Sequence, residues 1–99
     1  KDTFKDTLIL TFSEFGRRVQ QNAASGTDHG AANNVFIIGK NLKKQGFYNE
    51  APNLINLDEN GDIKYTVDFR TIYATILDTW LEVDDAAILN KSYSKLDFI

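Results

Sequence analysis

Thr7-Leu8-Ile9-Leu10-Thr11-Phe12 and Val35-Phe36-Ile37-Ile38 are the two stretches on which the fold reading turns. Each is short, rich in aliphatic and β-branched side chains, and apolar at successive rather than alternate positions. A strand with one wet face alternates apolar and polar residues, whereas a strand covered on both faces does not. The two runs therefore predict buried strands of an α/β protein with a mostly parallel sheet. The first run stops at Ser13-Glu14-Phe15-Gly16, where glycine permits a sharp exit turn, and the second stops at Gly39.

Outward from these runs the chain reads as follows. Arg17-Arg18-Val19-Gln20-Gln21 predicts about one helical turn ahead of Asn22, and the small residues from Ala23 to Ala32 predict a loop. Residues 40–52 look irregular, with Gly46-Phe47-Tyr48 and Pro52-Asn53 as turn signals. Leu54–Leu57 and Ile63–Val67 flank Asp58-Glu59-Asn60-Gly61-Asp62, and Asn-Gly between two β-type runs predicts a small hairpin. Phe69, Ile72, Tyr73, Ile76, Leu77, Trp80 and Leu81 draw one apolar stripe on a helix over 69–83, with Asp68 as N-cap. Asp84 is placed to cap a second short helix through Leu89, and Tyr93, Leu96 and Phe98 would pack the tail. No repeat, low-complexity tract or linker divides residues 1–99, which read as a single segment.

Composition bounds the function classes. The chain has 99 residues, 42% hydrophobic and 25% charged, which is ordinary globular composition. A net charge of −3 gives no basic footprint for nucleic acid. No apolar stretch approaches the roughly 18 residues of a membrane span. There is no Cys, so disulfides and thiolate metal sites are excluded. There is no Met either, which leads us to expect a mature or excised segment of a longer protein. One His limits any relay built within the chain alone.

Four features bear on chemistry. Thr27-Asp28-His29-Gly30 sets a carboxylate beside an imidazole in a glycine-flanked segment, and oxygen with imidazole ligands suits Zn²⁺ or Mn²⁺. The bland alternative is a surface turn in which Asp28 caps a nearby amide. Glu14 follows the first buried strand, where ligands bind in open α/β sheets, and otherwise is an exposed loop carboxylate. Arg17 offers a guanidinium fork to an anion; with Arg18 it otherwise forms a solvated pair, and no apolar segment follows to make an export signal. Asp58–Asp62 fails as a calcium loop, because position 6 is Ile63 and position 12 is Phe69.

Leu8-Ile9-Leu10-Thr11-Phe12-Ser13-Glu14-Phe15-Gly16-Arg17, then Gly26-Thr27-Asp28-His29-Gly30, then Val67-Asp68-Phe69-Arg70-Thr71-Ile72-Tyr73-Ala74 resemble the carboxyl-terminal part of a bacterial family. That family is called domain of unknown function 1501, and the stretch from Leu81 to Ile99 resembles its carboxyl end. Its members are typically exported, which implies a periplasmic or extracellular location. The family is similar to the alkaline phosphatase and sulfatase superfamily, whose enzymes use two divalent metals and a Ser, Thr or formylglycine nucleophile. The resemblance implies the C-terminal part of an alkaline-phosphatase-like fold, a mostly parallel sheet with flanking helices and a small hairpin.

It also implies metal-dependent hydrolysis of phosphoryl or sulfuryl esters by the longer protein. Where the superfamily carries Asp-His-Gly after a buried strand, this chain has Glu14-Phe15-Gly16, keeping a carboxylate and losing an imidazole. His29 resembles the ligand His that precedes an apolar strand. Glu14, Asp28 and His29 would then be metal ligands for Zn or Mn, and Arg17 would touch a substrate oxygen. The nucleophile and remaining ligands would come from the rest of the polypeptide, so this segment should not turn over substrate alone. Phe15 favours the competing reading, a non-catalytic exported binding or structural protein with an eroded metal site.

Overall fold

The computed structural model describes residues 2–99, which fall into two compact units. One comprises the described residues up to Lys40 together with Asn49–Thr66; the other comprises Asn41–Tyr48 and Val67–Ile99.

In the first unit, β1 (Leu8–Leu10) pairs antiparallel with the late strand Ile37–Gly39, in the register Leu8 to Gly39, Ile9 to Ile38 and Leu10 to Ile37. Between them run β2 (Gly16–Gln21) and β3 (Thr27–Gly30), a second antiparallel pair, so Ile37–Gly39 is β4. A 3₁₀ turn, Phe4–Asp6, precedes β1. The Thr11 amide extends the β1–β4 ladder to the Phe36 carbonyl (3.0 Å), and the Phe36 amide donates back to the Thr11 hydroxyl (2.9 Å).

The expected parallel sheet with flanking helices is therefore wrong: the strands form two antiparallel pairs and the helices are few. Continuous apolar character says that a strand is to be covered, not which way its neighbour runs. A parallel pair needs a crossover, usually helical. Here the chain between β1 and β4 folds instead as the β2–β3 hairpin and delivers β4 in the opposite direction.

Three local expectations fail with it. Arg17–Gln21 is strand rather than a helical turn, because the partner strand β3 takes up its backbone hydrogen bonds. Thr27–Gly30 is that partner rather than loop. The segment 58–62 does turn, with the Gly61 amide on the Asp58 carbonyl (3.0 Å) and Gly61 at φ +82°. Leu54–Leu57 and Ile63–Val67, however, form no ladder among the described residues.

In the second unit, α1 (Phe69–Thr75) is capped by Asp68, whose carboxylate accepts from the Arg70 amide at 2.9 Å. The helix then widens into a π-helical turn, Ile76–Trp80, closed by the Leu81 amide on the Ile76 carbonyl (2.9 Å). Glu82 at φ +53° ends it, short of the expected Val83. The crowding of β-branched Thr71, Ile72, Thr75, Ile76 and Thr79 lowers the α preference of this stretch. Helix α2 (Asp85–Leu89) is capped by Asp84 as expected and stops at Asn90 in the left-handed conformation. It packs on α1 around the only buried hydrophobic side chains among the described residues, Ile72 and Ala74, with Thr75 and Asp85 buried beside them. No helix among the described residues is long and apolar enough to cross a membrane.

Candidate functional site

The β2–β3 hairpin carries three of the four residues singled out in the sequence. Its register is anchored by two glycines facing each other, Gly16 and Gly30. A Cβ on Gly16 would lie 1.4 Å from the Ala32 carbonyl oxygen, and one on Gly30 would lie 2.9 Å from the Arg17 carbonyl carbon. Only glycine admits these backbones so closely. The next pair along is Arg17 opposite His29.

Residues directly opposite across a ladder share a face, and so do residues two apart on one strand. Phe15, Arg17 and His29 consequently meet on one side of the hairpin. The imidazole of His29 stacks on the Phe15 ring with centroids 3.6 Å apart and planes 12° apart. The Arg17 guanidinium carbon sits 5.5 Å from the same ring centroid, within cation–π range. One Arg17 nitrogen, Nη1, donates to the Thr27 carbonyl at 2.8 Å, which orients the group and leaves its other donors free. Both Arg17 and His29 are exposed, and no hydrogen bond to either imidazole nitrogen is made among the described residues.

The ladder is interrupted beyond this pair: Arg18, Val19 and Gln20 stand opposite Asp28 alone before Gln21 pairs with Thr27. Such bulges re-aim side chains. Here Arg18 donates through Nε to Asp62 Oδ1 at 2.8 Å, joining the hairpin to the 58–62 turn. Asn22 holds the hairpin tip. Its side-chain oxygen accepts from the Ala24 and Gly26 amides, both at 3.0 Å, and its Nδ2 donates to Asp28 Oδ1 at 3.0 Å.

Asp28 and His29 are neighbours on β3, so their side chains leave opposite faces of the strand. The Asp28 carboxylate is bound to Asn22 at the tip, and Glu14 lies on the exposed segment before β2. Among the described residues no group of three His, Cys, Asp or Glu lies together in a way that could hold a metal ion. Asp28 and His29 thus offer no shared face of β3 to a single ion. The arrangement instead presents a cation and an unpaired imidazole side by side against an aromatic ring. Asn22 and Asp62 enter the site through turn geometry and register rather than residue type, although Asn at a strand end before a small-residue turn is a legible Asx signal.

The family model described as "Protein of unknown function (DUF1501)" matches residues 1–92 of this chain. The chain belongs to the DUF1501 family. No curated protein and no solved structure matches it. In DUF1501 terms, the glycine pair, the Arg17–His29 rung and the Phe15 stack all lie within the matched residues.

Proposed function

We propose that this DUF1501 segment lends Arg17 and His29 to a site for an anionic phosphoryl or sulfuryl ester in a longer, exported protein. The observation that carries this reading is the rung itself: Arg17 directly opposite His29, with Phe15 stacked on the imidazole. A guanidinium with free donors takes two oxygens of a tetrahedral anion in its planar fork. An imidazole beside it takes a third as donor, or gives or receives a proton at the ester oxygen. The carbonyl of Thr27 and the Phe15 ring hold the two groups in place before the anion arrives. A Zn or Mn ion in such a protein would find in His29 a single ligand on this face, with its other ligands and the nucleophile supplied by the remaining polypeptide.

Titration of the longer DUF1501 protein that carries this chain with inorganic phosphate and sulfate, alongside a screen of phosphate and sulfate esters, tests the proposal. Arg17→Ala should weaken anion binding by about tenfold or more, the usual scale of a lost charge-assisted contact. His29→Ala should weaken it less and depress any ester cleavage more. Binding that is the same in wild type and both variants would sink it. Metal analysis of wild type against His29→Ala reads the ligand role separately.

The second reading, a non-catalytic binding or structural protein, is favoured by one observation. The first unit buries no hydrophobic side chain among its described residues, while Phe12 is 76% and Phe36 62% exposed. Apolar surface on that scale is a feature of segments that pack on other polypeptide. Anion-independent assembly without ester cleavage would select this reading.

A further inference from the structure

Asn60-Gly61 sits in the 58–62 turn, neither residue touching Arg17 or His29. We infer that Asn60 is a deamidation site latched by Asp58, and that opening the latch sets the rate at which the amide is lost. The reaction needs the Gly61 nitrogen, stripped of its proton by solvent base, to bond to Asn60 Cγ. Ammonia leaves and a five-membered succinimide forms; water then opens either carbonyl, giving aspartate or isoaspartate. No oxidant or reductant is involved. Glycine after asparagine makes the attack unhindered, because no Cβ shields the nitrogen. At Gly61 nothing lies within 4 Å of where a Cβ would be.

The structure leaves the electrophile free and ties the nucleophile. Asn60 is exposed and its side chain makes no hydrogen bond among the described residues. The Gly61 amide, by contrast, donates to the Asp58 carbonyl at 3.0 Å. Asp58 holds the rest of the turn as well: its Oδ1 accepts from the Asn60 amide (2.9 Å) and the Asp62 amide (2.8 Å), and its own amide donates to the Asp62 carbonyl (2.9 Å). Asp58 thus makes four hydrogen bonds around the turn, and the one on Gly61 N must open before that nitrogen can swing toward Cγ.

The product matters to the hairpin. Deamidation adds a carboxylate to a turn that already holds Asp58, Glu59 and Asp62. Isoaspartate also inserts a methylene into the backbone, so Asp58 and Asp62 no longer match across the turn. Asp62 is the partner of Arg18 on β2, so ageing at Asn60 releases the strand that carries Arg17 from its tie to the turn.

Peptide mapping by mass spectrometry, following the 58–62 peptide of the longer protein at mildly alkaline pH and 37 °C, tests this. The native protein should deamidate at Asn60 at least about tenfold more slowly than the same protein in denaturant, the scale of one to two hydrogen bonds. Asp58→Ala, which keeps the carbonyl bound to Gly61 but loses both Oδ1 contacts, should recover part of that difference, while Asp58→Asn, which keeps an Oδ1 acceptor, should stay near the native rate. Equal rates in native and denatured protein would overturn the latch, and that comparison needs no variant to fold. Other asparagines converting ahead of Asn60 in denaturant would overturn the assignment of the site.

Discussion

Replacing Thr75 with valine isolates one hydroxyl at the centre of the helical unit. Thr75 is 0% exposed. Its Oγ1 donates to the Thr71 carbonyl at 2.7 Å and accepts from the Leu96 amide at 2.8 Å, so one atom ties the carboxyl-terminal segment to α1. Valine has nearly the same shape, so no cavity opens and the effect is polar. An unsatisfied buried amide costs about 1–3 kcal/mol, and Leu96 is half-buried, which puts this case in the lower half of that range. The gain from burying a methyl in place of a hydroxyl is at most about 0.8 kcal/mol. The net expectation is a loss of about 1 kcal/mol, or roughly 4–8 °C in Tm for a chain of this length.

Thr75→Ser supplies the control, since it keeps both hydrogen bonds and loses about one methyl's worth of burial, again near 1 kcal/mol. Thermal melts alone would therefore not separate the two variants. Amide hydrogen exchange does. Leu96 should exchange about tenfold faster in Thr75→Val and at nearly the wild-type rate in Thr75→Ser. A valine variant with unchanged Leu96 protection would show that the hydroxyl is not what holds the segment.

The Tyr48 hydroxyl donates to Asp97 Oδ1 at 2.5 Å, which lowers the Asp97 carboxyl below its usual range and raises the Tyr48 phenol above its own. The depressed acid stabilises above about pH 4 and stops doing so as pH falls through its folded value; the raised phenol stabilises below about pH 10 and stops as pH rises through its folded value. Melts across both limits should show a stability step at each end that Tyr48→Phe removes. Asp68 is likewise lowered, chiefly by the Arg70 hydrogen bond, so Asp68→Asn should flatten the acid limb and Asp68→Ala should also cost about 1 kcal/mol of helix capping in a chemical melt. Lys95 lies 2.8 Å from Asp85 Oδ2, an oxygen with no aligned hydrogen bond among the described residues. Lys95→Met should destabilise by about 1–2 kcal/mol in urea, the buried-pair scale discounted for a half-exposed lysine. Gly16→Ala forces a methyl into the Ala32 carbonyl, and backbone NMR should show the Arg17–His29 rung displaced, with a loss of about 3 kcal/mol.

The helices were legible because their signals are local. Asp68 and Asp84 each sit one residue ahead of an apolar periodicity, and each side chain accepts from a first-turn amide. What was not legible was the π-turn, since a helical wheel does not distinguish four-residue from five-residue bonding when Ile76, Leu77 and Trp80 stay half-buried either way. The strands β1 and β4 were legible as strands, and their direction was not, because it depends on what lies between them. The β2–β3 hairpin escaped notice because Arg17, Arg18, Gln20 and Gln21 put polar groups at both parities, and its tip uses Ser25 rather than glycine at φ +62°. Arg17 and His29 stood out by residue type. That they face each other is a matter of register, and the register is set by Gly16 against Gly30, a pairing across fourteen positions that the sequence does not announce.

The placement of the candidate site follows from where stability is absent. The helical unit holds every buried hydrophobic side chain described, while the unit carrying Arg17 and His29 holds none. A two-stranded hairpin is marginal by itself. What positions Arg17 and His29 is then a short set of contacts: the Gly16 seat beneath Ala32, the Arg17 bond to Thr27, the Phe15 stack and the Arg18–Asp62 pair. Each contributes about 1 kcal/mol or less when exposed, too little to hold a productive geometry against thermal motion alone. Ile9 at 47% and Ile38 at 48% leave apolar surface on β1 and β4 whose covering would add burial to this unit. Tight anion binding by Arg17 and His29 should therefore require those faces to be covered, so that Ile9→Asp weakens binding without altering either anion-contacting side chain.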